Sequence, residues 1–314
     1  MSLHERLFTS LYRIRRVEEE IVRIYPTDKI KSPTHLSIGQ EAVSVGVCEA
    51  LDRKDVAFGT YRSHALYLAK GGDLKGMMAE LYGKATGTSK GKGGSMHLTD
   101  ISKGLVCTSA VVGTTIPTAV GYAYSFKYLG KNSIVASFFG DGATEEGVFY
   151  ESINFAALKK LPVIFICENN LYAIHTHQSF RQAKPNICER VASFDIPTIK
   201  IEGNDVMKIY DTVREISSIM RKKESGPYFV ECETYRWREH VGQNEDYELG
   251  YRTRDELEPW ADNDQLDIIG ELLSDRSRKK LELFVDKEIE AAIDFAEKSD
   301  YPPLAELYTD IFQD

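Results

Sequence analysis

Leu7, Leu11, Ile14, Val17, Ile21 and Ile24 stand three or four positions apart among charged neighbours. That spacing predicts an amphipathic N-terminal helix with one buried stripe. A second helix is predicted from Gln40 to Leu51. The pattern changes at Ser133-Ile134-Val135-Ala136-Ser137-Phe138-Phe139 and again at Val163-Ile164-Phe165-Ile166-Cys167. Both runs are short, apolar and rich in β-formers, as strands buried on two faces are. Between them Val148, Phe149, Ser152, Ile153, Ala156 and Ala157 return to helical spacing, and Pro162 ends the helix. Thr144 occupies the expected N-cap position, with Glu145 and Glu146 in the expected first turn. The whole stretch reads as a βαβ unit.

Further elements follow the same logic. Helices are predicted over Gly113 to Leu129 and Asp205 to Lys222, and strands over Thr198 to Ile201 and Tyr228 to Glu233. Leu281, Phe284, Val285, Ile289, Ala292 and Ile293 mark one face of a C-terminal helix. Gly83 to Gly104, Leu171 to Arg190 and Trp237 to Arg254 read as long loops, which in compact domains are often functional. Alternation of β and α implies an α/β fold, a mostly parallel sheet with helices on both faces. Residues 1–260 form the expected α/β domain. Residues 261–314 form a helical extension, packed on that domain or on a partner.

At 314 residues the chain is long enough for a large core. Its net charge of −9 argues against nucleic acid or an anionic membrane as partner. No apolar run reaches membrane-span length. The first residues lack the apolar block of a signal peptide. The five cysteines are scattered and contain no Cys-x-x-Cys, so they read as reduced thiols in a cytoplasmic protein.

Packing does not explain Gly140-Asp141-Gly142 followed, one helix and one strand later, by Asn169-Asn170. A right-handed crossover brings the carboxyl ends of both strands to one edge of the sheet. Asp141 and Asn170 therefore converge at the edge where open α/β sheets bind ligands. One carboxylate and one amide oxygen form a sparse oxygen set. It suits Mg²⁺, which completes its octahedron with ligand phosphate and water.

The Gly-Asp-Gly and Asn-Asn pattern resembles the thiamine-diphosphate signature. Its surroundings resemble the α subunit of the two-chain 2-oxoacid dehydrogenase E1 enzymes, the pyruvate, branched-chain and acetoin type. Thr34-His35-Leu36, Gly39-Gln40-Glu41-Ala42, Tyr61-Arg62-Ser63-His64, Gly91 to His97 and Tyr251-Arg252-Thr253-Arg254 match in order. The resemblance covers roughly residues 5 to 300. It implies thiamine diphosphate and Mg²⁺ as cofactors. The metal ligands would be Asp141, Asn170 and the backbone carbonyl of Tyr172. Tyr61, Arg62, Gly142, Ala143 and His240 would lie at the diphosphate, and Ala110 and Val112 beside the aminopyrimidine. His240 would be catalytic, with Arg236 helping to fix its loop. His64 is a candidate for the substrate pocket, and the glycine-rich segment with His97 would lie near the active site. A separate β chain would supply the activating glutamate in an α₂β₂ assembly. The reaction would decarboxylate a 2-oxoacid and pass the acyl unit to a lipoyl-bearing E2 acyltransferase.

Gly91-Lys92-Gly93-Gly94-Ser95 does not have P-loop spacing. His175 and His177 stand where relatives carry small or hydroxyl residues. They are open to three readings: a solvated pair, a recognition element for a polar substrate, or an incomplete metal site. Val241 stands where kinase-regulated relatives have serine, so that phosphorylation site is missing. These departures keep a non-oxidative decarboxylase or carboligase as the alternative. A nucleotide-phosphate enzyme would leave Asn169-Asn170 unexplained. A non-enzymatic Mg²⁺-binding module would give Tyr61, Arg62 and His240 no common purpose.

Overall fold

The computed structural model describes residues 1–223 and 225–312. Helix α1 (Leu3–Ile24) opens with a capping box, in which the Ser2 hydroxyl accepts the Glu5 N–H and the Glu5 carboxylate accepts the Ser2 N–H. All six residues of its predicted stripe are buried. Helix α2 (Glu41–Ala50) leads to strand β1 (Val56–Thr60), helices α3 (His64–Ala69) and α4 (Leu74–Leu81), and strand β2 (Leu105–Ser109). Helix α5 (Thr115–Tyr128), strand β3 (Val135–Gly140), helix α6 (Gly147–Lys159) and strand β4 (Val163–Asn169) follow. A two-residue hairpin, β5 (Tyr172–Ala173) and β6 (Thr176–His177), precedes helix α7 (Ile187–Ala192). Then come strand β7 (Thr198–Ile201), helix α8 (Val206–Lys223) and strand β8 (Tyr228–Glu233). Helices α9 (Glu258–Ala261), α10 (Gln265–Glu271) and α11 (Asp275–Lys298) close the chain.

The main sheet is parallel throughout, in the order β2-β1-β3-β4-β8-β7. Successive side chains alternate between two cores. Val135, Phe139, Val163 and Phe165 pack with α5, α6 and α7, whereas Ala136, Phe138, Ile164 and Ile166 pack with α1 to α4 and α8. Each fully buried Val, Ile or Phe stabilises the fold by about 1.5–3 kcal/mol. This two-sided burial is why the strands read as continuous apolar runs. The α/β architecture inferred from the pattern is the one observed. Among the described residues no helix is long and apolar enough to cross a membrane.

The structure corrects several details. Thr144 does not cap α6. It lies inside a 3₁₀ turn, Asp141–Glu145, and its hydroxyl donates to the Asp141 carbonyl at 2.7 Å, so the α-helix starts only at Gly147. β1, β2, α3 and α4 lay outside the predicted elements. They are short, β1 contains a glycine, and Gly71-Gly72 separates the two helices, so no period accumulates. The Leu171 to Arg190 loop contains the β5–β6 hairpin and the start of α7. On α11, Val285, Ile289, Ala292 and Ala296 are buried against α1 and α4, whereas Phe284 faces solvent.

Candidate active site

Strand order reverses between β1 and β3, and a crevice opens at their carboxyl ends, as the topology requires. The cleft has a volume of about 280 Å³. Each neighbouring strand delivers residues to it. Thr60, Tyr61 and Arg62 follow β1; Ser109, Val111, Val112 and Gly113 follow β2; Gly140 to Ala143 follow β3. Glu168 and Asn170 come from the end of β4, Tyr172 to Ile174 from the hairpin, and His240 from the loop after β8.

Arg62 carries the charge of this site. Its guanidinium donates to the Leu36 carbonyl at 2.6 Å and the His240 carbonyl at 3.1 Å. No carboxylate among the described residues ion-pairs with it. Burial lowers its pKa to about 10, which leaves it cationic at neutral pH. Tyr61, His35 and His240 pack as an aromatic trio beside it, with ring centroids 4.5 to 5.6 Å apart. Burial, then the Arg62 charge, pushes both histidines down to about 3, so both are neutral at pH 7. Burial raises the Glu168 carboxyl to about 7, with Arg62 acting in the opposite direction. The cleft therefore holds one cation, Arg62, a neutral imidazole, His240, and the carboxyl groups of Asp141, Glu145, Glu146 and Glu168. A planar guanidinium among carboxylates suits an anion that arrives with a divalent cation.

The same cleft is lined by Asp141, only 1% exposed. Burial raises its pKa on balance, against the opposing charge of the Arg181 guanidinium, which is ion-paired with both Asp141 and Glu145. The two asparagines shape the next turn. Asn169 Oδ1 accepts the Leu171 N–H and Asn170 Oδ1 accepts the Tyr172 N–H, each at 3.1 Å. These side-chain caps hold Leu171 at a φ of 68°, a left-handed conformation unusual for leucine. Asn169 also donates to Glu231 and Asn170 to Gln40. The pairing of asparagines thus has a physical reason. One anchors the turn to β8, and the other stands on the cleft wall.

The His240 loop is held by a buried charge cluster. Arg236 and Arg252 both bond the Asp246 carboxylate, and Tyr251 donates to it as well. Burial opposes ionisation of Asp246, but these hydrogen bonds outweigh it and its pKa falls. Arg236 also donates to the Ile174 carbonyl at 3.0 Å, which links the loop to the β5–β6 hairpin.

The cleft gathers Tyr61, Arg62, Val112, Asp141, Gly142, Ala143, Asn170, Tyr172 and His240. It does not gather the other candidates. Ala110 falls between wall residues Ser109 and Val111 without lining the cleft. His64 is fully buried between Glu18 and Ser95, behind the wall. The glycine-rich segment and His97 also lie off the wall, because Gly91, Gly93 and Gly94 turn their N–H groups onto Glu80 instead. His175 packs against the Tyr251 ring at 4.7 Å and His177 bonds Ser179. Among the described residues no group of three or more His, Cys, Asp and Glu gathers, so the histidine pair has no completing ligands. Sequence reasoning missed Arg181, Glu168 and Gln40. A carboxylate near the end of an otherwise apolar strand was the available signal for Glu168; Arg181 left none.

A profile of the family described as dehydrogenase E1 component matches residues 9–305. The chain belongs to this family. It is 37% identical over 98% of its length to the α subunit of the acetoin:2,6-dichlorophenolindophenol oxidoreductase of Bacillus subtilis, covering 92% of that protein. It is 35% identical over 97% of its length to the pyruvate dehydrogenase E1 α subunit of Rickettsia bellii, covering 94% of it. The corresponding subunit of Rhizobium meliloti is 37% identical, with 97% and 88% covered. The resemblance read from the motifs is therefore the family to which this E1 chain belongs.

Proposed function

We propose that this E1 chain forms the diphosphate-gripping half of a thiamine-diphosphate- and Mg²⁺-dependent 2-oxoacid dehydrogenase. The observation that carries the reading is Arg62, a cation without a carboxylate partner among the described residues, at the switch point of the sheet and lining the same cleft as the buried Asp141. Arg62 would hold a diphosphate, and Asp141, which ion-pairs with Arg181, would help to hold a hard cation beside it. The wall fits such a metal. The Asp141 carboxylate, the Asn170 amide oxygen and the Tyr172 carbonyl are the oxygen donors that would hold it, and a set this sparse leaves positions for phosphate oxygens.

When bound, thiamine diphosphate supplies the carbanion chemistry and electron sink by which a 2-oxoacid loses CO₂. The chain's own residues bind and orient. Arg62 would pair with phosphate oxygens through its planar fork. Gly142 and Ala143 would present backbone to the diphosphate and Val112 would flank the aminopyrimidine, while Tyr61 packs against His240. His240 is neutral, so it can accept a proton without first losing one.

A β chain would supply the rest of the site in an α₂β₂ assembly. Val111 and Val112 stand 62% and 45% exposed on the cleft rim, and Tyr124, Tyr128, Phe155 and Leu158 continue an apolar surface along α5 and α6. The acyl unit would pass to a lipoyl-bearing E2 acyltransferase. Calorimetry of the full chain with its β partner tests the cofactor reading. Thiamine diphosphate should bind only with Mg²⁺ present, and preferential binding of ATP would overturn the assignment.

A further inference from the structure

The glycine-rich segment matches family text yet touches no part of the cleft. Its N–H groups have another target. Glu80 Oε2 accepts from Ser89 at 2.8 Å and Gly91 at 2.9 Å, and Oε1 accepts from Gly93 at 2.8 Å and Gly94 at 2.9 Å. Glu80 is 1% exposed, so the loop is wrapped around a buried carboxylate. A side chain at Gly87 would come within 2.3 Å of that carboxylate. At Gly91, where φ is 76°, a side chain would meet the Gly83 backbone at 2.6 Å. The glycines are there so that backbone can close on Glu80.

The wrap delivers Ser95. Its hydroxyl lies 2.7 Å from His64 Nε2, and the other ring nitrogen lies 3.3 Å from Glu18 Oε2. The second Glu18 oxygen accepts the Ser37 N–H at 2.9 Å. Glu18, His64 and Ser95 are all fully buried. The order carboxylate, imidazole, hydroxyl is that of a hydrolase triad, but no substrate reaches this hydroxyl. The contacts lead to Arg62 instead. His64 follows it by two residues at the start of α3, and Ser37 follows Leu36, whose carbonyl holds the guanidinium. One buried chain of hydrogen bonds thus grips the segment that carries Arg62 and the segment that aims it.

We propose that Glu18, His64 and Ser95 are positioning residues for Arg62, and that Glu80 with its glycine wrap places Ser95 in that chain. The proposal rests on the diphosphate reading of the cleft. Among the described residues no carboxylate orients Arg62, so its direction depends on two carbonyls and on the segments bearing them. Loss of the Ser95 hydroxyl leaves His64 Nε2 unpaired in the interior and frees the turn.

The test uses the full chain assembled with its β partner and titrates thiamine diphosphate calorimetrically at saturating Mg²⁺. Ser95→Ala should raise Kd about tenfold, and Glu80→Gln and Glu18→Gln should act in the same direction. In an Arg62→Ala background Ser95→Ala should add no further loss, because the group it positions is gone. A purely structural role would give additive losses and would overturn the proposal. So would an unchanged Kd in Ser95→Ala, or a lowered kcat at saturating cofactor with normal Kd, which would put His64 in the chemistry. Should Ser95→Ala not assemble, Glu18→Gln, which retains an acceptor for Ser37, decides the same comparison. Failure of the wild-type assembly to bind thiamine diphosphate would instead sink the cofactor reading.

Discussion

A guanidinium held only by carbonyls keeps its charge for a ligand, and a buried carboxylate in the same cleft can hold a cation. Arg62 and Asp141 line one cleft in this way. Arg181 ion-pairs with Asp141. Asp141→Ala should therefore weaken Mg²⁺-dependent thiamine diphosphate binding by more than about a hundredfold, and Asn170→Ala by about tenfold, since water replaces a neutral oxygen more readily. Equilibrium dialysis with labelled cofactor, alongside circular dichroism to confirm the fold, checks both. His35 and His240 make a second prediction. Their folded values lie near 3, and an unfolded histidine titrates near about 6.5. Below that pH the unfolded chain takes up protons that the folded chain refuses. The contribution to stability is full above about pH 6.5 and falls as pH drops towards 5. Urea midpoints between pH 7 and 5 should decline, and more gently in His35→Phe/His240→Phe; equal slopes would contradict the assignment. Asp141 and Asn170 were legible because their chemistry lies in a compact motif. Arg181 was not, because its partner stands 40 positions away and nothing in the intervening text marks the pair.

The loop from Trp237 to Arg254 shows how an irregular element is made rigid. Asp246 is its hub, bonded by Arg236, Arg252 and Tyr251, and all three charged side chains are at most 1% exposed. Removing the carboxylate leaves two buried guanidinium groups uncompensated. Asp246→Asn should cost about 3–5 kcal/mol by denaturant unfolding and loosen the His240 segment, read as faster hydrogen exchange between 237 and 254. A loss below about 1 kcal/mol would show that the cluster is replaceable. Among the elements, the stripe of α1 and the runs of β3 and β4 follow from period alone. Thr144 shows the limit of such reading. A hydroxyl before an apolar periodic run signals a cap, but Thr144 instead closes a 3₁₀ turn on Asp141, and α6 starts three residues later. The glycine-rich segment shows the same limit. Its composition marks a tight backbone turn but does not reveal that a carboxylate, Glu80, lies inside it.

At the scale of the molecule, one sheet supplies one cleft of about 280 Å³, below the roughly 300–1,000 Å³ usual for small-molecule sites. Its rim exposes Val111 and Val112. The chain alone should therefore show negligible 2-oxoacid decarboxylation with thiamine diphosphate and Mg²⁺, and gain it when the β chain is added. Turnover by the single polypeptide, with mass spectrometry excluding a co-purified partner, would overturn the two-chain reading. The sequence by itself determined the parallel α/β class, the place of Asp141 and Asn170 at strand ends, and the family. Those properties depend on hydrophobic period, crossover handedness and short motifs, all local in the chain. Only the tertiary structure decided that Arg62 lacks a carboxylate partner among the described residues, that His240 and His35 are neutral, and that His64 stands behind the cleft wall. Burial and charge pairing are set by segments distant in sequence, and no local pattern records which of them meet.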